Sequence, residues 1–184
     1  AASRFGVHTY KKVINGEEVM ARVRNERDRF VSFVLEDIEK TDEKYNIRKK
    51  ASFIDNHNLR VGDSVIEAKS IVIATGSTPI IPSMFDEIGD LLVVNDDIFE
   101  WQNLPESVAV FGPGVIGLEL GQALHRLGVR IRVFGSSGSL RPLSDMKIKN
   151  YAENIFNKEF PIDTKTKLFG LKRENDKIKI NFFD

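Results

Sequence analysis

The sequence predicts an α/β fold: a helix and a small antiparallel meander, then a strand–helix–strand–helix–strand unit closed by a hairpin. Three observations carry this prediction. Apolar residues at steps of three and four run from about Gly16 to Lys40. Short strand-like pieces follow, separated by turn pairs. From residue 107 onward, buried-strand and helix patterns alternate, which argues for a parallel sheet with right-handed crossovers.

The first helix starts at Asn15 or Gly16 and places Val19, Met20, Val23, Phe30, Phe33, Val34 and Ile38 on one face. Residues 51–54, 58–61 and 64–68 then form the meander, with turns at Asp55-Asn56 and Gly62-Asp63. It leads into Ser70-Ile71-Val72-Ile73-Ala74, an apolar β-branched run that predicts a strand buried on both faces. Thr75-Gly76-Ser77-Thr78-Pro79 ends it, and the prolines there predict a linker over about 79–91. The resulting division is 1–82, a linking segment over 83–94, and 95–184.

In the second half, Asn95 is placed to cap a short helix over 96–101, and 107–111 reads as a buried strand. A helix over 112–127 ends at Gly128, in the usual position just past the last turn. A second strand spans 129–134, and 136–139 is a small-residue loop. The next helix runs from about 144 to 160, with Ile148, Tyr151, Ala152, Ile155 and Phe156 inward. A third strand covers 161–168, and 169–183 reads as a hairpin turning at 174–176.

Composition excludes several classes of function. Lys+Arg and Asp+Glu both number 27, so the net charge is zero and nothing draws the chain to nucleic acid or an anionic membrane. No apolar run approaches the roughly 18–20 residues of a membrane span. The first residues lack the charged-then-apolar order of a signal peptide, and the expected location is cytoplasmic. Without cysteine there is neither a disulfide nor a cysteine metal site. His8, His57 and His125 are scattered without ligand spacing, so no metal is expected.

The chemistry concentrates in FGPGVIGLELG, residues 111–121, between a strand and a helix. Gly112 permits the turn out of the strand, Gly114 lets a pyrophosphate approach the backbone, and Gly117 lets the helix pack closely on the sheet. The helix N-terminus offers unpaired N–H groups and partial positive charge to the phosphates. The motif sits in its required strand–turn–helix setting and predicts a dinucleotide site. An acid at the end of the second strand would hold the ribose 2′-hydroxyl of NAD, but Gly135, Ser136 and Ser137 occupy that place. Arg132 and Arg141 lie near enough in sequence to face a 2′-phosphate, which leaves NAD and NADP both open.

IVIATG at 71–76, a prolyl linker and then FGPGVIGLELGQAL together resemble the flavoprotein pyridine nucleotide–disulfide oxidoreductases. The wording VIGLELG and LRPLSD is most similar to their dihydrolipoamide dehydrogenase branch. The resemblance implies an incomplete portion of an FAD domain followed by a Rossmann-like NAD(P)-binding unit. It places Ala51, Ala74, Thr75 and Gly76 beside FAD, and Gly112, Gly114, Ile116, Gly117, Glu119, Gly135 and Ser136 along NAD(P). It also implies electron transfer between a dithiol or disulfide, FAD and NAD. On this reading the chain is an internal piece of a longer homodimeric parent, its dimer formed through an absent C-terminal domain, and holds no catalytic residue of its own. An NADPH-dependent disulfide or mercuric reductase remains an alternative, as does a dinucleotide-binding or self-associating module without turnover.

Overall fold

The computed structural model describes residues 13–138 and 140–183. They form two units: the described residues up to Asn25 together with Ile81 onward, and Glu26–Ile80.

Helix α1, Gly16–Glu39, begins in the first unit and runs into the second. Asn15 caps it: its Oδ1 accepts from the Glu17 and Glu18 N–H groups at 3.1 and 3.3 Å, and its Nδ2 donates to Glu18 Oε1 at 2.9 Å. The two bonds to Asn15 Oδ1 satisfy N–H groups with no intrahelical partner. Met20 is buried. The apolar stripe does not stay covered along its length: Phe30, Phe33 and Val34 are half or more exposed.

In the second unit, β1 (Ala51–Phe53), β2 (Asn58–Val61) and β3 (Ser64–Glu67) form the expected antiparallel meander, in the order β1-β2-β3. Asp55 builds its first turn, accepting from the His57 and Asn58 N–H groups at 2.8 and 2.9 Å. These bonds, His57 first, hold its carboxyl below the ordinary value. His57 itself contacts the Ala68 carbonyl through Nδ1 at 3.2 Å.

The strand expected over 70–74 is absent. Residues 70–80 carry no regular structure, and Val72 and Ile73 are largely exposed. A strand needs a neighbour to take its backbone N–H and C=O groups. No described strand pairs with this segment.

In the first unit, β4 (Ser107–Phe111), β5 (Arg130–Phe134) and β6 (Ile162–Asp163) form a parallel sheet in that order. The β4–β5 register runs from Ser107 opposite Arg130 to Phe111 opposite Phe134. Helices α2 (Val115–Arg126) and α3 (Met146–Phe156) make the two crossovers. The core packs Leu118 and Leu124 of α2 against Ile131, Val133, Phe160 and Ile162. On α3 only part of the expected inward face contributes: Ala152 and Phe156 pack on the core, whereas Ile148 and Tyr151 are exposed. The third strand is also shorter than expected. After Asp163 the chain turns back, and the Thr166 N–H donates to the Gly135 carbonyl at 2.8 Å.

The terminal hairpin is β7 (Lys167–Glu174) and β8 (Lys177–Phe183). Its Leu171 forms a second small core with Phe85 and Ile88. Those two residues come from the 3-10 segment Ser83–Leu91, which reads as linker in the sequence. Another 3-10 turn, Asp97–Glu100, is preceded by Asp96 rather than Asn95.

Candidate functional site

A cleft of about 440 Å³ opens at the C-terminal ends of β4 and β5. That is where open parallel sheets place ligands. Its mouth is backbone and small side chains: Gly112, Pro113 and Gly114 on one side, Gly135, Ser136 and Ser137 on the other. Its wall is aromatic, with Phe111 and Phe134 stacked at 5.4 Å and Phe85 tilted against Phe111 at 4.9 Å. Arg141, Thr166 and Leu168 complete the lining.

The local sequence explains the shape. Gly112 has φ +120°, a conformation only glycine adopts without strain, and this turns the chain from β4 into α2. Gly117 lies directly over that turn, where a side chain would press on the Gly112 carbonyl. Gly114 differs: nothing lies within 4 Å of where its Cβ would be, and its extended backbone is open to any residue. The free space above Gly114 therefore borders the N-terminus of α2, whose first N–H groups have no intrahelical acceptors. The first turn of α2 carries no acidic residue. A pyrophosphate fits this donor set and polarity.

On the opposite side, the loop after β5 is fixed by its backbone. The Gly135 N–H donates to the Asp163 carbonyl and the Gly138 N–H to the Thr164 carbonyl, both at 2.7 Å. Gly135 is buried, and a Cβ there would lie 2.8 Å from Pro113 Cδ. The proline of the glycine turn thus occupies the space an acidic side chain at this position would need.

Of the residues the sequence singles out, Gly112, Gly114, Gly135 and Ser136 meet in this cleft, and Gly117 packs beneath it. Ile116 and Glu119 share an exposed face of α2 and do not line the cleft. Arg132 is not among the lining residues: its Nε pairs with Asp163 at 2.7 Å, and its guanidinium lies 4.5 Å from the centre of the Phe182 ring and 5.5 Å from that of Phe134. Ala51 is an exposed strand residue opposite Val61, and Ala74, Thr75 and Gly76 lie in the exposed irregular segment of the second unit. Sequence reasoning missed Phe85 and Thr166. The three-residue step from Phe85 to Ile88 was a usable signal for the first; the second depends on the fold-back after β6.

Among the described residues no group of His, Asp or Glu side chains is arranged to hold a metal, and no helix is long and apolar enough to cross a membrane. His125 packs its ring 5.5 Å from Phe160, and His8 lies outside the described residues.

The chain is 30% identical over 114 residues to chloroplastic dihydrolipoyl dehydrogenase 2 of Arabidopsis thaliana, covering 62% of this chain and 20% of that protein. It is 36% identical over 104 residues to mercuric reductase of Staphylococcus aureus, covering 55% and 19%. The chain thus spans about a fifth of the length of these curated relatives. Its fold is similar to that of the HOCl-induced flavoprotein disulfide reductase RclA of Escherichia coli, with TM-score 0.62 at 20% identity over 72% of this chain and 31% of that one. The family model described as pyridine nucleotide-disulphide oxidoreductase matches residues 6–181. With the glycine turn, the parallel sheet and the cleft above them, the chain belongs to the pyridine nucleotide-disulphide oxidoreductase family.

Proposed function

We propose that the chain is the dinucleotide-binding part of a dihydrolipoyl dehydrogenase-like flavoprotein. The observation that carries this reading is the open space over Gly114 at the N-terminus of α2, in a cleft at the carboxyl edge of a parallel sheet. Gly112 and Gly114 would admit the pyrophosphate of NAD or NADP, and Gly117 keeps α2 close enough to aim its N–H groups. Gly135 and Ser136 would border the adenosine ribose. Ile116 and Glu119 would lie towards the nicotinamide end, and Ala51, Ala74, Thr75 and Gly76 beside FAD.

When bound, the flavin and the nicotinamide supply the hydride chemistry, and the protein supplies their orientation. The 184 residues hold no cysteine, so the dithiol step of the whole protein is assigned to none of them, and no turnover is expected from this chain. A homodimeric whole protein in the cytoplasm belongs to the same proposal, supported by the family likeness.

Gly114→Val tests the reading directly. Nothing lies within 4 Å of the new Cβ, so the variant should fold, with only the loss of about 1 kcal/mol that comes from replacing a glycine N-cap by valine. The same side chain fills the space the pyrophosphate needs. The wild-type chain should quench its single tryptophan or shift nucleotide fluorescence saturably on titration with NADH or NADPH, and the variant should not. Equal binding by both proteins would remove the cradle from the proposal.

A further inference from the structure

Helix α3 is apolar on two faces. Ala152 and Phe156 pack on the core, as a crossover helix requires. On the outer side Ile148 and Tyr151 each expose more than half of their surface, and Ile155 more than a third. Steps of three and four residues align these three side chains in one stripe, the spacing with which two helices pack side by side. A surface helix ordinarily keeps that side polar. The stripe offers on the order of 300 Å² of contiguous apolar surface, a size at which such patches mark interaction sites. None of its residues lines the cleft at the carboxyl edge of the sheet.

The charges around the stripe are unbalanced, although the chain as a whole is neutral. The acids of α3 and its ends are all engaged within the protein. Asp145 accepts from the Lys147 and Ile148 N–H groups, and Glu153 accepts from the Thr164 hydroxyl at 3.0 Å. Glu159 is held by Arg126 and Gln122. The lysines are not so engaged: Lys147, Lys149 and Lys158 make no ion pair among the described residues. Lys147 flanks the start of the stripe and Lys158 its end, on the same side. We propose that α3 is a docking surface for an acidic amphipathic helix of another protein. The apolar residues of that helix lie along Ile148, Tyr151 and Ile155, and its carboxylates beside Lys147 and Lys158, where charge sets the choice of partner. A second copy of this chain lacks that complementarity. Laid antiparallel along the stripe, it sets Lys147 of each chain against Lys158 of the other, and like charges disfavour the pair.

Fluorescence anisotropy with two labelled synthetic amphipathic helices of the length of α3 tests this on the 184-residue chain. Both carry leucine at steps of three and four; one has glutamate at the flanking positions, the other lysine. The glutamate peptide should bind saturably, on the order of tenfold tighter than the lysine peptide at low salt, and the gap should narrow as salt rises. Ile148→Ser and Tyr151→Ser should each weaken its binding on the order of tenfold. Lys147→Glu combined with Lys158→Glu should reverse the preference, so that the lysine peptide binds the tighter. All four side chains are exposed, so circular dichroism should show the variants folded. Absence of saturable binding by the glutamate peptide overturns the docking surface. Equal binding of the two peptides, or binding that survives the α3 substitutions unchanged, overturns it as well. Dimerisation in sedimentation equilibrium that Tyr151→Ser abolishes overturns it in favour of a second copy. Binding to phosphatidylserine vesicles that Tyr151→Ser abolishes, with no discrimination between the peptides, overturns it in favour of an anionic membrane.

Discussion

Residues 70–74, Ser-Ile-Val-Ile-Ala, and strands β4 and β5, Ser-Val-Ala-Val-Phe and Arg-Ile-Arg-Val-Phe, share a short β-branched apolar pattern. Their environments are opposite. Val133 of β5 is 0% exposed, whereas Val72 is 87% and Ile73 70% exposed. β4 and β5 satisfy each other's backbone along a five-residue register, and α2 covers their face. Residues 70–74 have neither a paired strand nor a covering helix among the described residues. A β-branched run therefore states that a segment can be a buried strand. The pairing edge and the cover decide whether it is one.

The close approach of α2 to the sheet gives the largest lever on this contrast. Gly117→Val should press a branched side chain onto the Gly112 carbonyl and Val110, costing about 2–3 kcal/mol by overpacking. Urea unfolding followed by Trp101, the single tryptophan, which packs on this core, measures it. A midpoint unchanged from wild type would mean that α2 can move off the sheet.

Paired truncations sharpen the comparison itself. Val133→Ala should cost about 2 kcal/mol, since it opens a cavity in a close-packed interior. The same change at Val72 should stay within about 0.5 kcal/mol, as for other exposed sites. Tryptophan fluorescence and far-ultraviolet circular dichroism should be recorded in parallel, because Trp101 reports only on the first unit. Equal losses at the two valines would show that 70–74 is buried in solution.

The same contrast explains what was legible beforehand. The parallel unit could be read because its determinants are local: the 3.6 period of α2, the turn at Gly112 and the glycine after its last turn. The meander was legible from Asp55-Asn56 and Gly62-Asp63 for the same reason. The clefts and edges depend on distant partners. Nothing near Gly135 in sequence says that Pro113 fills its side-chain space, and nothing near Arg132 says that Asp163 and Phe182 hold it. The glycine turn is thus legible residue by residue, whereas the contacts of Arg132 with Asp163, Phe134 and Phe182 are legible only in the fold. Phe85 was hidden because two nearby prolines made its segment look like linker, although Leu171 of the hairpin buries it.

A smaller effect is expected where the second crossover begins. Asp145 caps α3, accepting from the Lys147 and Ile148 N–H groups at 2.8 and 3.0 Å. Asp145→Ala should cost about 1 kcal/mol and Asp145→Asn much less, because the amide oxygen still accepts. Chemical denaturation again measures it. Since α3 exposes Ile148 and Tyr151, its cap should matter to stability more than either of those side chains. A Tyr151→Ala loss larger than that of Asp145→Ala would show α3 covered in solution.

The smallest effect tests the surface link between the two crossovers through its pH dependence. Arg126 at the end of α2 meets Glu159 just beyond α3, with Nε–Oε2 and Nη2–Oε1 distances of 3.0 and 2.9 Å, and Gln122 donates to the same carboxylate. The Arg126 hydrogen bond, chiefly, holds the Glu159 carboxyl below its ordinary value. A carboxylate whose folded value is depressed binds fewer protons folded than unfolded. Its contribution is therefore complete above the unfolded value and fades as pH falls through the folded one. Arg126 is well exposed, so solvent keeps the effect small. Arg126→Ala should lower the unfolding midpoint slightly at neutral pH, and the gap from wild type should close as the solution is acidified below the carboxylate range. A gap that persists when Glu159 is protonated would show that Arg126 acts through its packed methylenes rather than its charge.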